Sequence, residues 1–164
     1  MSLKQELNNF LPDFGAFDLE LNEDQDQNFS FTYYYGSFSW ITYGNETRSK
    51  IYNEVILDFN LDLELDLNDS EINYIENLVY SCTDQFGVEC IDFFDNFRNS
   101  SIVLIRDYSF TNEGKIDKNH LNNNLKNLLK CAKMINVNIN YSISKIYNTE
   151  LALDLPDDYK RLYI

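Results

Sequence analysis

IYNEVILDFNLDLELDL, residues 51–67, holds one alternating pattern for longer than any other stretch of this 164-residue chain. Its odd positions Ile51, Val55, Leu57, Phe59, Leu61, Leu63, Leu65 and Leu67 are apolar, with Asn53 alone out of step. Its even positions include Glu54, Asp58, Asp62, Glu64 and Asp66. A period of two places alternate side chains on opposite faces, so the pattern predicts a strand with one apolar face and one row of carboxylates. At about 3.3 Å per residue the stretch would span roughly 56 Å, far beyond the usual strand of about 5–6 residues. A bend, bulge or turn is therefore expected near Asn60.

Immediately before it, residues 29–43 form an aromatic centre. Phe29, Phe31, Tyr33 and Tyr35 share odd parity, Phe38 and Trp40 even parity, and the switch falls at Gly36. Because one slipped residue moves every side chain to the other face, Gly36 should mark a turn or bulge. Tyrosine and tryptophan bring large apolar area with a polar handle and are favoured at protein interfaces, so Tyr34 and Trp40 join the acidic row as candidate partner-binding residues. Stacking of nucleobases is a weaker reading here, since only Arg48 and Lys50 lie nearby to hold phosphates.

Outward from this centre, Leu3, Leu7, Phe10 and Leu11 have helical spacing, ended by Pro12 and Gly15. Phe17, Leu19 and Leu21 alternate as a first strand. Asp24, Asp26 and Asn28 imitate the start of a calcium loop, but Phe29 stands where glycine is required and Tyr35 where glutamate is, so a solvated turn is expected. After the long strand, Asn68 and Glu71 have capping-box spacing before the stripe Ile72, Ile75, Leu78, Val79, Cys82 and Phe86, with Gly87 at the exit. Residues 90–97 and 101–110 read as an antiparallel pair, and Ile116 as a short return strand. Asp117 caps a third helix with the stripe Leu121, Leu125, Leu128, Leu129, Ala132 and Ile135. Val137, Ile139, Tyr141 and Ile143 alternate again and predict one more strand, with residues 151–155 as another. The fold class is thus α+β, a single domain spanning residues 1–164. An antiparallel sheet packs with about three helices in the order α-βββ-α-ββ(β)-α, followed by a β-leaning extension over residues 136–164.

Composition narrows the function. The formal charge is −14, unevenly spread: residues 1–95 hold 20 acids against Lys4, Arg48 and Lys50, giving −17, and residues 96–164 hold seven acids against ten bases, giving +3. Such a field repels nucleic acid and anionic lipid and speeds encounter with a basic partner. The same acids would also serve solubility. No run of 18 apolar residues is present, and the opening MSLKQELNNFLPDFG lacks a signal peptide's apolar centre, so the expected location is the cytoplasm, with no membrane contact. Cys82, Cys90 and Cys131 have no metal-ligand spacing and read as thiols filling the core.

His120 is the single imidazole, which removes metal sites built on several histidines. No GxSxG elbow, glycine-rich phosphate loop, HExxH or paired CxxC occurs, so neither a cofactor nor a catalytic residue is expected. Carboxylate pairs could still serve a hydrolase, although alternation alone explains Asp62, Glu64 and Asp66. Mimicry of duplex DNA needs more than this strand. Exposed side chains recur every ~6.6 Å along it, against one charge per roughly 1.7 Å of duplex.

The order of elements from LKQELNNFL through SEINYIENLVYSCTDQFG to DKNHLNNNLKNLLKCAKMI, residues 3–135, resembles the small acidic type III secretion chaperone and YbjN-like fold. That resemblance implies a noncatalytic α+β dimer holding a partner segment, and it carries no catalytic residues over. Residues 136–164 depart from it. Two functions follow. A cognate inhibitor, such as an immunity protein, would cover the active face of a basic toxin, for instance a nuclease. A secretion chaperone would escort an effector as a homodimer. A nucleic-acid mimic or a carboxylate-pair hydrolase is the third reading.

Overall fold

The computed structural model describes residues 1–61, 67–94 and 100–147. The elements in chain order are α1 (Leu3–Phe14), β1 (Phe17–Glu23), β2 (Asn28–Tyr35), β3 (Phe38–Asn45), β4 (Lys50–Asp58), α2 (Asp69–Phe86), β5 (Glu89–Phe93), β6 (Ile102–Asn112), β7 (Lys115–Ile116) and α3 (Lys118–Tyr147). The sheet is antiparallel in the order β1-β2-β3-β4-β6-β5, with β7 paired to β6. This is the α+β architecture that the hydrophobic pattern predicts. The first strand group nevertheless holds four strands where the expected order α-βββ-α-ββ(β)-α gave three.

The decisive strand behaves largely as its alternation requires. β4 buries Ile51, Asn53, Val55 and Leu57 and ends at Asp58; the chain then turns through Asn60, whose φ of 52° lies in the left-handed region. The Asp58 carboxylate fixes that turn by accepting the Asn60 N–H at 2.9 Å. One step earlier, β2 and β3 meet across Gly36 and Ser37, both at positive φ (57° and 72°), the geometry of a tight two-residue hairpin turn. Tyr35 therefore pairs with Phe38 and Tyr33 with Trp40, so the odd aromatics of β2 and the even ones of β3 share one face.

All three helix starts are capped, and α2 is also closed at its end. Ser2 and Gln5 form a capping box on α1, and the Glu46 carboxylate from the β3–β4 loop accepts the N–H groups of Leu3 and Lys4 at 3.0 Å each. Asn68 and Glu71 form the second box, at 2.8 and 2.9 Å, and Gly87 closes α2 at a left-handed φ of 67°. Asp117 accepts the His120 N–H at 3.1 Å to start α3. Leu3, Leu7 and Leu11 of α1, Ile72, Ile75 and Val79 of α2, and Leu121, Leu125 and Leu128 of α3 join Ile51, Val55, Val103 and Ile105 in one core.

One strand prediction is overturned. Val137, Ile139, Tyr141 and Ile143 belong to α3, which runs unbroken for 30 residues and crosses the boundary expected at residue 135. Its buried positions Leu128, Cys131, Ala132, Ile135, Asn138, Ile139 and Ser142 keep the helical period, and no glycine or proline interrupts it. The core face simply turns polar: Asn138 donates to the Cys82 sulfur at 3.4 Å and the Ser142 hydroxyl to the Asn138 carbonyl at 2.9 Å. The strand expected at residues 151–155 lies outside the described residues.

Candidate binding face

Among the described residues, helices cover one face of the sheet. The pairing registers place the remaining residues in cross-strand rows on the other face. Glu20, Thr32, Ile41, Glu54, Arg106 and Glu89 make one row, and Asn22, Ser30, Tyr43, Tyr52 and Tyr108 the next. Tyr108 and Phe110 are exposed there, and so is Tyr34, at 47%. Five carboxylates (Glu20, Glu54, Asp58, Glu89 and Asp92) face two cations (Lys50 and Arg106) among the described residues of this surface.

At its centre the side chains form a connected chain. The Tyr43 hydroxyl donates to Glu54 at 2.7 Å, and Arg106 reaches both Tyr43 (3.4 Å) and Glu89 (2.9 Å). Burial first, then the Glu54 hydrogen bond, holds the Tyr43 phenol above its ordinary range, with Arg106 pulling the other way. The hydrogen bond to Tyr43, and next that to Glu89, hold the Arg106 guanidinium above its own range, so it stays charged throughout. Tyr43 stacks on Tyr52 with ring centroids 5.2 Å apart, and Tyr52 meets Tyr108 at 6.5 Å. Arg106 lies 5.0 Å over the Tyr52 ring and Lys50 lies 4.4 Å over Tyr108, so cations already cover part of this ladder.

The expected site residues separate sharply. Glu54 and Asp58 stand on this face, whereas Asp62, Glu64 and Asp66 lie outside the described residues. Tyr34 is exposed beside Phe17, with centroids 5.7 Å apart. Trp40 is a correction: it is 1% exposed and its indole N–H donates to the Tyr35 carbonyl at 2.9 Å, so it belongs to the core. β4 itself alternates Lys50, Tyr52, Glu54, Ile56 and Asp58, a mixed row in place of a purely acidic one. The reading of the residues missed Tyr43, Tyr52, Arg106, Tyr108 and Glu89. A signal existed in Ile102, Val103, Leu104 and Ile105, whose unbroken apolar run shows that β6 keeps apolar side chains on both faces.

His120 sits at the exposed start of α3, where its ring nitrogen lies 3.3 Å from the Asn124 amide, which in turn donates to Ser109 at 2.8 Å. The three cysteines are free. Chiefly through burial, the Cys90 thiol is pushed up to about 11 and Cys131 to about 12. No group of ligating side chains among the described residues could hold a metal ion. None of the described helices is long and apolar enough to cross a membrane.

A groove of about 1040 Å³ opens at the end of this face formed by the β1–β2 and β3–β4 loops, between Asn22, Ser30, Ile41, Tyr43, Arg48 and Lys50. No family model matches the chain, and no curated protein matches it. Among solved structures, the chain is similar to an uncharacterized protein from Methanothermobacter thermautotrophicus. The TM-score is 0.64 at 14% identity over 89% of this chain and 99% of that one, a likeness in fold alone.

Proposed function

We propose that the chain is a noncatalytic, acidic protein-binding module, a cognate inhibitor that lays the sheet face that no described helix covers on a basic protein such as a toxin. The observation that carries this reading is the composition of that face. Exposed tyrosines and Phe110 supply apolar area, and carboxylates outnumber cations five to two. Aromatic anchors with complementary charge around them are what a specific interface requires.

The test is kinetic. The partner is captured from the native cell, its stoichiometry counted, and its association with the purified chain timed at low and high salt. Electrostatic steering raises association rates well above the unsteered ~10⁵–10⁶ M⁻¹s⁻¹ and fades with ionic strength. A Glu20→Gln, Asp58→Asn, Asp92→Asn variant should associate at least about tenfold more slowly at low salt while keeping the parent's melting curve. Association that ignores both salt and these substitutions would remove the proposal.

A secretion-chaperone reading is favoured by a different feature. β1 and β5 are the sheet edges among the described residues, and β1 is exposed along nearly its whole length, so an extended client segment could add to it. That reading calls for a homodimer and for a client segment without a fold of its own.

A further inference from the structure

The tyrosine ladder stops one strand short. In register, Tyr108 of β6, Tyr52 of β4 and Tyr43 of β3 stand side by side, and the next position, on β2, is Ser30, followed on β1 by Asn22. Strands lie about 4.8 Å apart, close to the 5.2 Å between the Tyr43 and Tyr52 rings, so a small serine at the fourth position leaves a gap one ring wide beside Tyr43. The groove lies over this gap, floored by Ile41. Its size suits a small molecule.

The charges around the groove are unequal in what they have left to bind. Glu23 is bridged to Lys4. The Asp24 carboxylate is occupied by its own turn, accepting the N–H groups of Asp26 and Asn28 and the Asn28 amide. Glu54 accepts the Tyr43 hydroxyl. Lys50 lies over the Tyr108 and Phe110 rings, whereas Arg48 makes no ion pair among the described residues, although residues 1–95 contain 20 acids. Arg48 is also held in place: its N–H donates to the Asn45 carbonyl at 3.1 Å, and the Asn45 side chain, tied to Asp26 and Asn28, accepts the Thr47 N–H at 2.8 Å. Lys50 stands one row and two strands from the gap, and its ammonium lies 4.4 Å over the Tyr108 ring of β6, so Arg48 is the cation left for the groove.

We propose that this groove binds a small organic anion, with a flat ring filling the gap over Ser30 against Tyr43 and a carboxylate or phosphate held by Arg48. The inference does not rest on the partner-binding reading above, although the groove shares Tyr43 with that face. Stacking supplies the ring's affinity, and Arg48 selects for charge.

The probe is 1-anilinonaphthalene-8-sulfonate, followed by fluorescence on the full chain, with uncharged N-phenyl-1-naphthylamine as its control. One molecule per chain is expected to bind, and the neutral probe at least about tenfold more weakly. Arg48→Gln should weaken the anion by about tenfold. Ser30→Tyr completes the ladder with the protein's own ring and should abolish binding, while its melting curve stays at or above the parent's because cross-strand aromatic pairs stabilise sheets. Displacement by 2-naphthoate or by 1-naphthyl phosphate tells a carboxylate site from a phosphate site. The inference is overturned by failure of the anion to bind, by equal binding of the neutral probe, by retained binding in Ser30→Tyr, or by displacement with neither competitor.

Discussion

Replacing Thr42 with valine removes one oxygen and should cost far more than its size suggests. Thr42 and Asn53 pair across β3 and β4 on the helix-facing side, Tyr33 stands on the same side of β2 one row along, and all three are buried. The Thr42 hydroxyl gives its only hydrogen to Asn53 Oδ1 at 2.9 Å, so the contact at 2.7 Å must be Tyr33 donating to Thr42. Thr42→Val strips both neighbours at once, and Asn53 Nδ2 already has no hydrogen-bond partner. A buried polar group left unpaired costs about 1–3 kcal/mol, so two give roughly 2–6 kcal/mol, less about 0.8 for the added methyl. Against a typical domain stability of about 5–15 kcal/mol this is a large fraction. The triple variant Tyr33→Phe, Thr42→Val, Asn53→Val leaves none of the three groups unsatisfied and should recover most of the loss. Urea unfolding followed by Trp40 fluorescence measures both, with an unchanged slope as the sign of an unchanged transition. A Thr42→Val midpoint matching the parent's, or a triple variant weaker than the single, would show that these three side chains do not depend on one another's hydrogen bonds.

Gly36→Ala tests the hairpin that sets the face of the aromatic centre. An added Cβ would come within 2.7 Å of Leu129 Cδ1 at a φ of +57°, so a loss of about 1–3 kcal/mol is expected in the same unfolding assay; a neutral result would mean that the turn adopts another geometry. The buried thiols give a pH dependence. Cys90 and Cys131 are raised in the fold from 9.0 to about 11 and about 12, so the native state holds protons that the unfolded chain releases first. Their contribution is complete below about pH 9 and is lost as pH climbs toward 11 and 12. The urea midpoint should therefore fall between pH 9 and 10.5, and fall less in a Cys90→Ala, Cys131→Ala variant; equal slopes for the two proteins would rule the thiols out as the cause.

What the sequence revealed of the fold was whatever depends on neighbours along the chain. The Asn68 and Glu71 spacing, the Asp117 cap and the parity switch at Gly36 are local, and each appears in the structure. Trp40 shows where local reading was used incompletely. A two-residue turn at Gly36 and Ser37 pairs Trp40 with Tyr33, which already places it on the face of Phe31 and Tyr33, away from Tyr34. The course of α3 was harder to read, because Asn138 and Ser142 occupy core positions and break the apolar stripe, leaving only the spurious alternation of Val137 to Ile143. The binding face was harder still. Alternation tells which residues share a face, and only the assembled sheet shows that helices cover one side and that Tyr43, Tyr52 and Tyr108, scattered over 66 residues, stand in one row.

A sheet face that no described helix covers, with an aromatic row and two edges unpaired among the described residues, would ordinarily invite association with copies of itself. Here the charges oppose that outcome. β1 carries Asp18, Glu20 and Glu23 along its exposed length, with Asp24 and Asp26 in the following turn, and its pairing with β2 shifts register between Phe17 and Glu20. Two such edges brought together would set carboxylate against carboxylate, and two open faces would each bring more acids than bases. Arg106 and Lys50 lie on the rings they would otherwise leave bare. On the proposed reading, these charges would repel a second chain of charge −14 at this face and attract a basic one, which ranks the inhibitor ahead of the chaperone.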